Sequence, residues 1–245
     1  MNIEYHKWYS PNLERTMELK LYGHGGKPFI LFPTQGGRFF QAEDEGMMEA
    51  VGHFIESGKT CFYAVDSVDY EAWSDFNKHP RDRGIRHNQY EKYILEEVLP
   101  FIADRPGGKN KSGLTGFSMG GYHAGNFFFK HPQLFDTVIA ISGFYDLKLL
   151  VGNYSDEQVY YNSPVCFLKN LDDETILKDI RNAKIVICSG QGAWEEDMLE
   201  SSLELKHILE EKSIPAWIDI WGHDVNHDWP WWRKMLPYFL EKLNI

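Results

Sequence analysis

Strand-length apolar runs alternate with helical patterns from residue 28 to the last residue of the sequence. In a chain built this way, each helix carries the backbone back so that the next strand can lie parallel to the one before it. The alternation therefore predicts an α/β fold with a mostly parallel central sheet and helices on both faces. Functional side chains collect at the carboxyl ends of the strands in such sheets. A length of 245 residues suits a single domain, 1–245.

The predicted strands are the short apolar or alternating runs 18–22, 28–33, 60–65, 112–117, 137–141, 184–189 and 216–221. The predicted helices are 45–55, 88–103, 119–130, 196–211 and 229–243. Asn88 with Glu91 three residues later forms a capping-box pattern, which predicts a helix start at Asn88. Pro237 lies inside the apolar stripe of the last helix and should bend or shorten it, because proline removes a helical hydrogen bond.

Residues 142–182 differ from the rest of the chain. They are rich in Gly, Asn, Tyr and Asp and contain only short helical patterns. Since they follow a predicted strand, they should emerge at its carboxyl end. We interpret them as an insertion within the single domain, forming a partial lid over that edge of the sheet.

The charge balance restricts the classes of partner. The chain has 25 Lys and Arg against 36 Asp and Glu, a formal net charge of −11. Nucleic-acid binding is driven by clustered positive charge, so neither nucleic acid nor an anionic membrane surface is an expected partner. No run approaches the roughly 18 apolar residues of a membrane-spanning helix, and the first ten residues lack a signal-peptide core. With Cys61, Cys166 and Cys188 expected as free thiols, we predict a cytoplasmic location.

A candidate nucleophile lies in the segment 114–121, which reads LTGFSMGG and contains the pattern G-x-S-x-G around Ser118. A predicted strand runs directly into Ser118 and a predicted helix begins directly after it, which is the strand–turn–helix arrangement of a nucleophile elbow. Gly116 and Gly120 suit a turn too tight for bulky residues on either side. The helix N-terminus beneath the serine favours negative charge.

A serine hydroxyl needs a base to remove its proton. His223 and His227 follow the last predicted strand, in a loop that can reach back to the elbow, and either one is a candidate base. The spacing of His223, Asp224, His227 and Asp228 also permits a metal site and hence a metallohydrolase. The Glu beside the first histidine of a zinc-protease helix is missing, however, and we expect no metal or cofactor.

An acid must orient the base and stabilise its charge. The loop after the strand 184–189 offers Glu195, Glu196 and Asp197, and Asp146 is a fourth candidate. Glu195 is our prediction, because it is the carboxylate furthest from the following helix and Trp194 beside it can shield the carboxylate and imidazole from water. The two carboxylates after it are better placed to complement the helix dipole.

The oxyanion of an acyl-transfer intermediate needs two backbone N–H donors. Met119 supplies one by its position after Ser118. The other should come from the loop after the strand 28–33, which reads TQGGRF, since Gly36 and Gly37 allow the backbone to approach a ligand closely. We predict Gly37 as the second donor.

With these residues in place, the chain resembles the esterase branch of the α/β-hydrolases, which includes feruloyl esterases, S-formylglutathione hydrolases, enterochelin esterases and mycolyltransferases. The resemblance covers nearly the whole chain from residue 28. It rests on 116–121, on the helix that contains Tyr90-Glu91-Lys92-Tyr93 and 97–102, and on His227-Asp228-Trp229 leading to Trp232. It implies an α/β-hydrolase fold and a Ser–acid–His triad with His227 as the base. The acid loop departs from the family's short Gly-x-x-Asp turn, which leaves the acid open.

The sequence therefore predicts a serine hydrolase that cleaves a small-molecule carboxylic ester through an acyl-enzyme, with Ser118, His227 and Glu195 as its triad. An acyltransferase is one alternative, because an alcohol can replace water on the same triad. A non-catalytic ligand-binding protein of the same fold is another, and an incomplete triad would be expected of it.

Overall fold

The computed structural model describes residues 1–108 and 110–245. Its strands are β1 (Ile3–Ser10), β2 (Arg15–Tyr22), β3 (Lys27–Phe32), β4 (Thr60–Val65), β5 (Ser112–Phe117), β6 (Phe135–Ile141), β7 (Lys184–Ser189) and β8 (Trp217–Ile220). They form one sheet in the order β1-β2-β4-β3-β5-β6-β7-β8. The pairs from β4 through β3 to β8 are parallel, while β1, β2 and β4 pair antiparallel. The predicted α/β fold with a mostly parallel sheet is confirmed.

The helices are α1 (Gln41–Asp44), α2 (Met47–Ala50), α3 (Gly52–Glu56), α4 (Pro80–Tyr93), α5 (Leu99–Ala103), α6 (Met119–Lys130), α7 (Lys148–Val151), α8 (Glu157–Tyr160), α9 (Pro164–Lys169), α10 (Glu174–Arg181), α11 (Glu196–Glu211) and α12 (Trp229–Lys242). A 3₁₀ turn spans Asp69–Glu71, and a π-helical segment, Ile94–Val98, joins α4 to α5. The single predicted helix 45–55 is thus replaced by short helices.

Helices cover both faces of the sheet, as predicted. Successive side chains of a strand point to opposite faces, so Ile30 and Phe32 enter one core while Phe29 and Leu31 enter the other. The first core is closed by α4, α6 and α9 to α11, and the second by α2, α3 and α12. Both cores hold the central strands rigidly, which fixes the positions of the residues that follow their carboxyl ends.

Strand β1 is absent from the sequence-based prediction. Its outward side chains include Ile3 and Tyr5, whereas its inward side carries polar groups that hide the usual apolar signal. Glu97 provides hydrogen-bond partners for polar groups on the inward side of β1, because its carboxylate accepts from Trp8 Nε1 at 2.7 Å and from Ser10 Oγ at 2.6 Å. A tertiary contact with a remote glutamate therefore holds this edge strand.

The predicted start of the helix that contains Asn88 is wrong. Helix α4 begins at Pro80 instead of Asn88, with His79 as N-cap and its Nδ1 accepting from the N–H of Arg81 at 3.3 Å. The polar first half of this helix lacks the apolar period that would have revealed it. Helix α12 continues through Pro237 to Lys242 and is not shortened.

The segment 142–182 contains α7 to α10. Tyr145, Leu168 and Ile180 are buried in the same core as α6. Cys61 and Cys188 are buried, Cys166 is half-buried, and all three are free thiols. Burial raises the pKa of the Cys61 thiol to about 11, which keeps it protonated and unreactive near neutral pH.

Within residues 1–108 and 110–245, the structure has no helix that is long and apolar enough to cross a membrane.

Candidate active site

The candidate site lies along the carboxyl ends of neighbouring strands. Ser118 follows β5, Ser142 follows β6, Ser189 ends β7, and the segment 221–228 follows β8. Backbone hydrogen bonds extend the sheet past these ends, from Ser118 N–H to the Ile141 carbonyl at 3.0 Å and from Ser142 N–H to the Cys188 carbonyl at 2.7 Å. The topology thus brings four separate loops to one edge.

Ser118 lies on a strained turn between β5 and α6. Its φ is 56° and its ψ is −122°, a left-handed conformation that costs a non-glycine residue free energy and persists only where the surroundings enforce it. A Cβ on Gly116 would lie 2.4 Å from the carbonyl carbon of Gly120, so glycine is required where the strand passes the helix. Ser118 is half-buried, directly after the carboxyl end of β5.

Met119 begins α6, where the first N–H groups of a helix have no intrahelical acceptor. Its backbone N–H therefore has no intrahelical acceptor, and the role of Met119 as the first oxyanion donor stays a prediction.

The second predicted donor, Gly37, does not fit the structure. The Gly37 N–H donates to the Thr34 carbonyl at 2.8 Å and closes the turn, so it is already used. The Thr34 N–H donates to Gln41 Oε1 at 3.0 Å, and the Gly36 N–H points to Asp69 Oδ2 at 3.4 Å. In this turn, the Gln35 N–H is the donor that has no acceptor among the described residues.

Glu195 is fully buried, at 0% exposure, and both oxygens of its carboxylate have partners. Oε1 accepts from Ser142 Oγ at 2.5 Å and Oε2 from Ser189 Oγ at 2.9 Å. Nδ1 of His227 lies 3.2 Å from Oε1 and has no aligned hydrogen bond with any described residue. Catalytic hydrogen bonds are often poorly aligned in unliganded enzymes and tighten with substrate. The structure thus brings together the predicted base and the predicted acid.

Backbone hydrogen bonds join the loop of Glu195 to the loop of His227. The Gly192 N–H donates to the Val225 carbonyl at 2.8 Å, and the His227 N–H donates to the Ala193 carbonyl at 3.0 Å. A Cβ on Gly192 would lie 2.6 Å from the same Val225 oxygen, so the two loops approach this closely only with glycine there. This pairing sets the imidazole opposite the carboxylate.

An aromatic ring connects the histidine to the elbow. The indole of Trp232 lies edge-on to His227, with ring centroids 5.0 Å apart, and stacks on Phe117, the residue before Ser118, at 5.5 Å. Its Nε1 also donates to Ser142 Oγ at 3.0 Å. No hydrogen bond joins Ser118 Oγ to His227 within the described residues, so the structure places the two side chains at one edge without a direct bond.

The other candidate acids lie apart from the imidazole. Glu196 and Asp197 are exposed in the first turn of α11. Asp146 Oδ1 accepts from the Lys148 N–H at 2.9 Å, at the start of α7. Trp194 has a φ of 68° and is 82% exposed, so the expected shielding by its ring is wrong; burial of Glu195 itself keeps water out.

The candidate metal ligands do not converge. His223 and Asp224 are exposed in the turn before His227. In the part of the chain that the structure describes, no group of three or more His, Cys, Asp or Glu side chains is arranged to hold a metal ion.

Sequence reasoning missed Gln35 and the two serines that bind Glu195. The available signal was their position, because Ser142 directly follows β6 and Ser189 ends β7. A small hydroxyl side chain at the carboxyl end of a strand beside the elbow is a suitable donor to a buried carboxylate.

His87, a buried histidine of α4 that contacts α6, should make the free energy of unfolding depend on pH. Burial lowers the pKa of His87 well below 6.5, because the charged imidazolium would lose its hydration, and the charges of His123 and Lys130 lower it further. Its Nε2 accepts from Asn126 Nδ2 at 3.2 Å, as a neutral ring can. In the unfolded chain, His87 regains its ordinary pKa and binds a proton below about pH 6.5. Acid therefore favours the unfolded state.

We therefore expect the free energy of unfolding to fall by about 1 kcal/mol more in the parent protein than in His87→Leu between about pH 7 and 5.5. Urea unfolding at the two pH values measures this difference. Equal acid sensitivity of the two proteins would contradict a neutral, buried His87.

The model of a family described as "Putative esterase" matches residues 10–243. No curated protein sequence matches the chain. A solved ferulic acid esterase is similar with a TM-score of 0.78 and 17% identity, covering 99% of this chain and 97% of that chain. A fluorophosphonate-binding serine hydrolase of Staphylococcus aureus has a TM-score of 0.74 and 16% identity, covering 99% of this chain and 98% of that chain. An S-formylglutathione hydrolase of the same organism has a TM-score of 0.72 and 15% identity, covering 99% of this chain and 96% of that chain. At these identities, the solved structures establish a shared fold.

Proposed function

The chain belongs to the Esterase family of the α/β-hydrolase fold and is a carboxylic-ester hydrolase, and from this premise we propose that it cleaves a small-molecule ester through an acyl-enzyme formed on Ser118. His227 is the general base in this proposal, and Glu195 is the acid that orients it.

In the first step, Ser118 Oγ attacks the ester carbonyl carbon while His227 Nε2 accepts the hydroxyl proton. The carbonyl π electrons move to oxygen and form a tetrahedral oxyanion. The Met119 N–H and the free Gln35 N–H are the donors that suit this oxygen, since both are fixed before substrate arrives. Fixed donors stabilise developing charge without reorganising.

In the second step, the C–O bond to the alcohol breaks as the oxyanion collapses, and the imidazolium of His227 donates its proton to the leaving oxygen. Water then attacks the acyl-enzyme, with His227 again as base, and the acid product leaves Ser118 regenerated. No redox change occurs, and each proton removed by the imidazole is returned.

Glu195 has two tasks in this scheme. Its Oε1, 3.2 Å from Nδ1, favours the tautomer with the proton on Nδ1 and leaves Nε2 free to accept. It also stabilises the imidazolium, because an opposite charge at this distance in a dry site is only weakly screened. The hydroxyls of Ser142 and Ser189 hold the carboxylate in place.

The observation that carries the proposal is the pair of Glu195 and His227: the carboxylate is fully buried, and its Oε1 lies 3.2 Å from Nδ1 of His227. Burying a carboxylate costs free energy unless it is paired and hydrogen-bonded, and Glu195 has His227 and two serine hydroxyls as partners. Here it lies at the edge where the elbow ends.

We expect a fluorophosphonate probe to label the protein once, on Ser118, because phosphonylation needs the same activated hydroxyl as ester cleavage. Mass spectrometry of the digested protein locates the adduct. Prior incubation with an ester that the protein hydrolyses should slow labelling, because the ester competes for the same site. An unlabelled Ser118, or an adduct on another residue, would remove the proposed nucleophile.

A further inference from the structure

A buried carboxylate lies between α6, the helix that follows Ser118, and the turn 34–37, which we call the oxyanion loop. The steps above do not use this carboxylate. Asp69 begins the 3₁₀ turn after β4 and is 2% exposed. Its Oδ1 lies 2.8 Å from Nε2 of His123, which is fully buried on α6 five residues after Ser118. A carboxylate only accepts hydrogen bonds, so the imidazole donates.

The other oxygen of Asp69 faces the oxyanion loop. Its Oδ2 accepts from the Gly36 N–H at 3.4 Å, on the peptide that follows Gln35. The carboxylate thus links the helix under Ser118 to the turn that bears the free Gln35 N–H. A Cβ on Gly36 would lie 2.3 Å from the ring of Tyr70, so the neighbouring residue also closes over this turn.

Two further hydrogen bonds hold the same turn. Gln35 Nε2 donates to Ser74 Oγ at 2.9 Å, and Gln41 Nε2 donates to Thr34 Oγ1 at 2.7 Å. Each of these bonds attaches the turn to a neighbouring loop or helix. Among the side-chain hydrogen bonds and ion pairs of the described residues, the Asp69–His123 contact is the one that links this turn, through the Gly36 N–H, to the helix that follows Ser118.

We propose that Asp69 and His123 are positioning residues, which set the Gln35 N–H at a fixed place relative to Ser118. This inference rests on the proposed function, because a fixed donor matters only if an oxyanion forms there. Donors work when they lie about 2.7–3.1 Å from the future oxyanion, and a misplacement of about 1 Å can cost about 10²-fold in rate. Loss of the contact should therefore reduce transition-state stabilisation and leave binding of the ground-state ester nearly unchanged.

The test compares His123→Leu with His87→Leu. His87 is a matched control, because it is also buried and stacks on His123 with centroids 5.4 Å apart, yet among the described residues it has no hydrogen bond or ion pair with Asp69. Each protein is titrated with fluorophosphonate so that kcat refers to folded active sites. A trifluoromethyl ketone matched to the ester serves as the analogue of the tetrahedral intermediate.

We expect His123→Leu to lower kcat by about 10- to 100-fold with KM within about threefold, and to weaken inhibition by the ketone by a similar factor. His87→Leu should keep kcat and ketone affinity within about threefold. His123→Gln, which retains an N–H donor, should recover much of the loss. Asp69→Asn, almost identical in shape, provides the same comparison should His123→Leu not fold.

The outcomes separate this inference from the proposed function. If the parent protein is labelled at Ser118 and both His123→Leu and Asp69→Asn keep full kcat per active site, the positioning role is wrong while the nucleophile stands. A fall in kcat without any change in ketone affinity also excludes it. If the parent is not labelled at Ser118, the proposed function fails and the inference fails with it.

Discussion

Ser118→Ala should lower kcat for ester cleavage by about 10⁴-fold or more, the largest effect of any substitution considered for this protein. The reason is chemical, because alanine has no atom that can form the acyl-enzyme. The fold should persist, since alanine meets the same φ of 56° that serine already adopts and no hydrogen bond from Ser118 Oγ to a described residue is lost. Steady-state hydrolysis of an activated ester, together with thermal unfolding, measures both expectations.

Ser57→Ala is a suitable control for this experiment. Ser57 is exposed after α3, at the opposite end of the sheet from Ser118, and its Oγ donates to the Phe54 carbonyl at 3.2 Å. We expect its kcat to match the parent within error. Activity of Ser118→Ala within tenfold of the parent would overturn the proposal that Ser118 is the nucleophile.

Glu195→Gln should lower kcat by about 10²- to 10⁴-fold, which is the second largest expected effect. Glutamine has nearly the same shape, but its amide removes the charge that stabilises the imidazolium. It also places an NH₂ group either at the position of Oε1, facing His227 and the hydroxyl of Ser142, or at the position of Oε2, facing the hydroxyl of Ser189. An amide NH₂ facing Nδ1 favours the wrong imidazole tautomer.

Asp197→Asn is the matched control for the acid. Asp197 is exposed in the first turn of α11, and the ion-pair partner of His227 among the described residues is Glu195. Its charge complements the helix dipole, so the substitution should cost at most about 1 kcal/mol of stability and leave kcat within about twofold. Kinetics and urea unfolding of the two variants decide between the carboxylates. The reverse pattern would transfer the role of acid to Asp197.

Periodic patterns in the sequence were sufficient to predict most of the architecture. Alternation of strand and helix predicted the mostly parallel sheet, and the strand that runs into Ser118 and the helix that starts at Met119 lie where the residues place them. These features are local, because a strand or helix imposes its own spacing on apolar residues. Strand β1 and the first half of α4 escaped prediction, since polar contacts with remote residues hold them, such as those of Trp8 with Glu97 and of Arg86 with the Leu13 carbonyl.

The sequence also narrowed the acid to four carboxylates and selected Glu195, but only the tertiary structure shows which of them is buried beside His227. That choice depends on two loops, 192–195 and 225–228, whose backbones pair across the edge of the sheet.

The oxyanion loop shows the same division. The sequence by itself determined that the loop after β3 is glycine-rich and follows a strand beside the elbow, which is enough to name it as the donor loop. Among the described residues, the N–H groups of Gly37, Thr34 and Gly36 donate to Thr34, Gln41 and Asp69, which leaves the Gln35 N–H instead of the Gly37 N–H without an acceptor. A residue pattern records the spacing along the chain, whereas the availability of a donor depends on acceptors that folding brings from elsewhere.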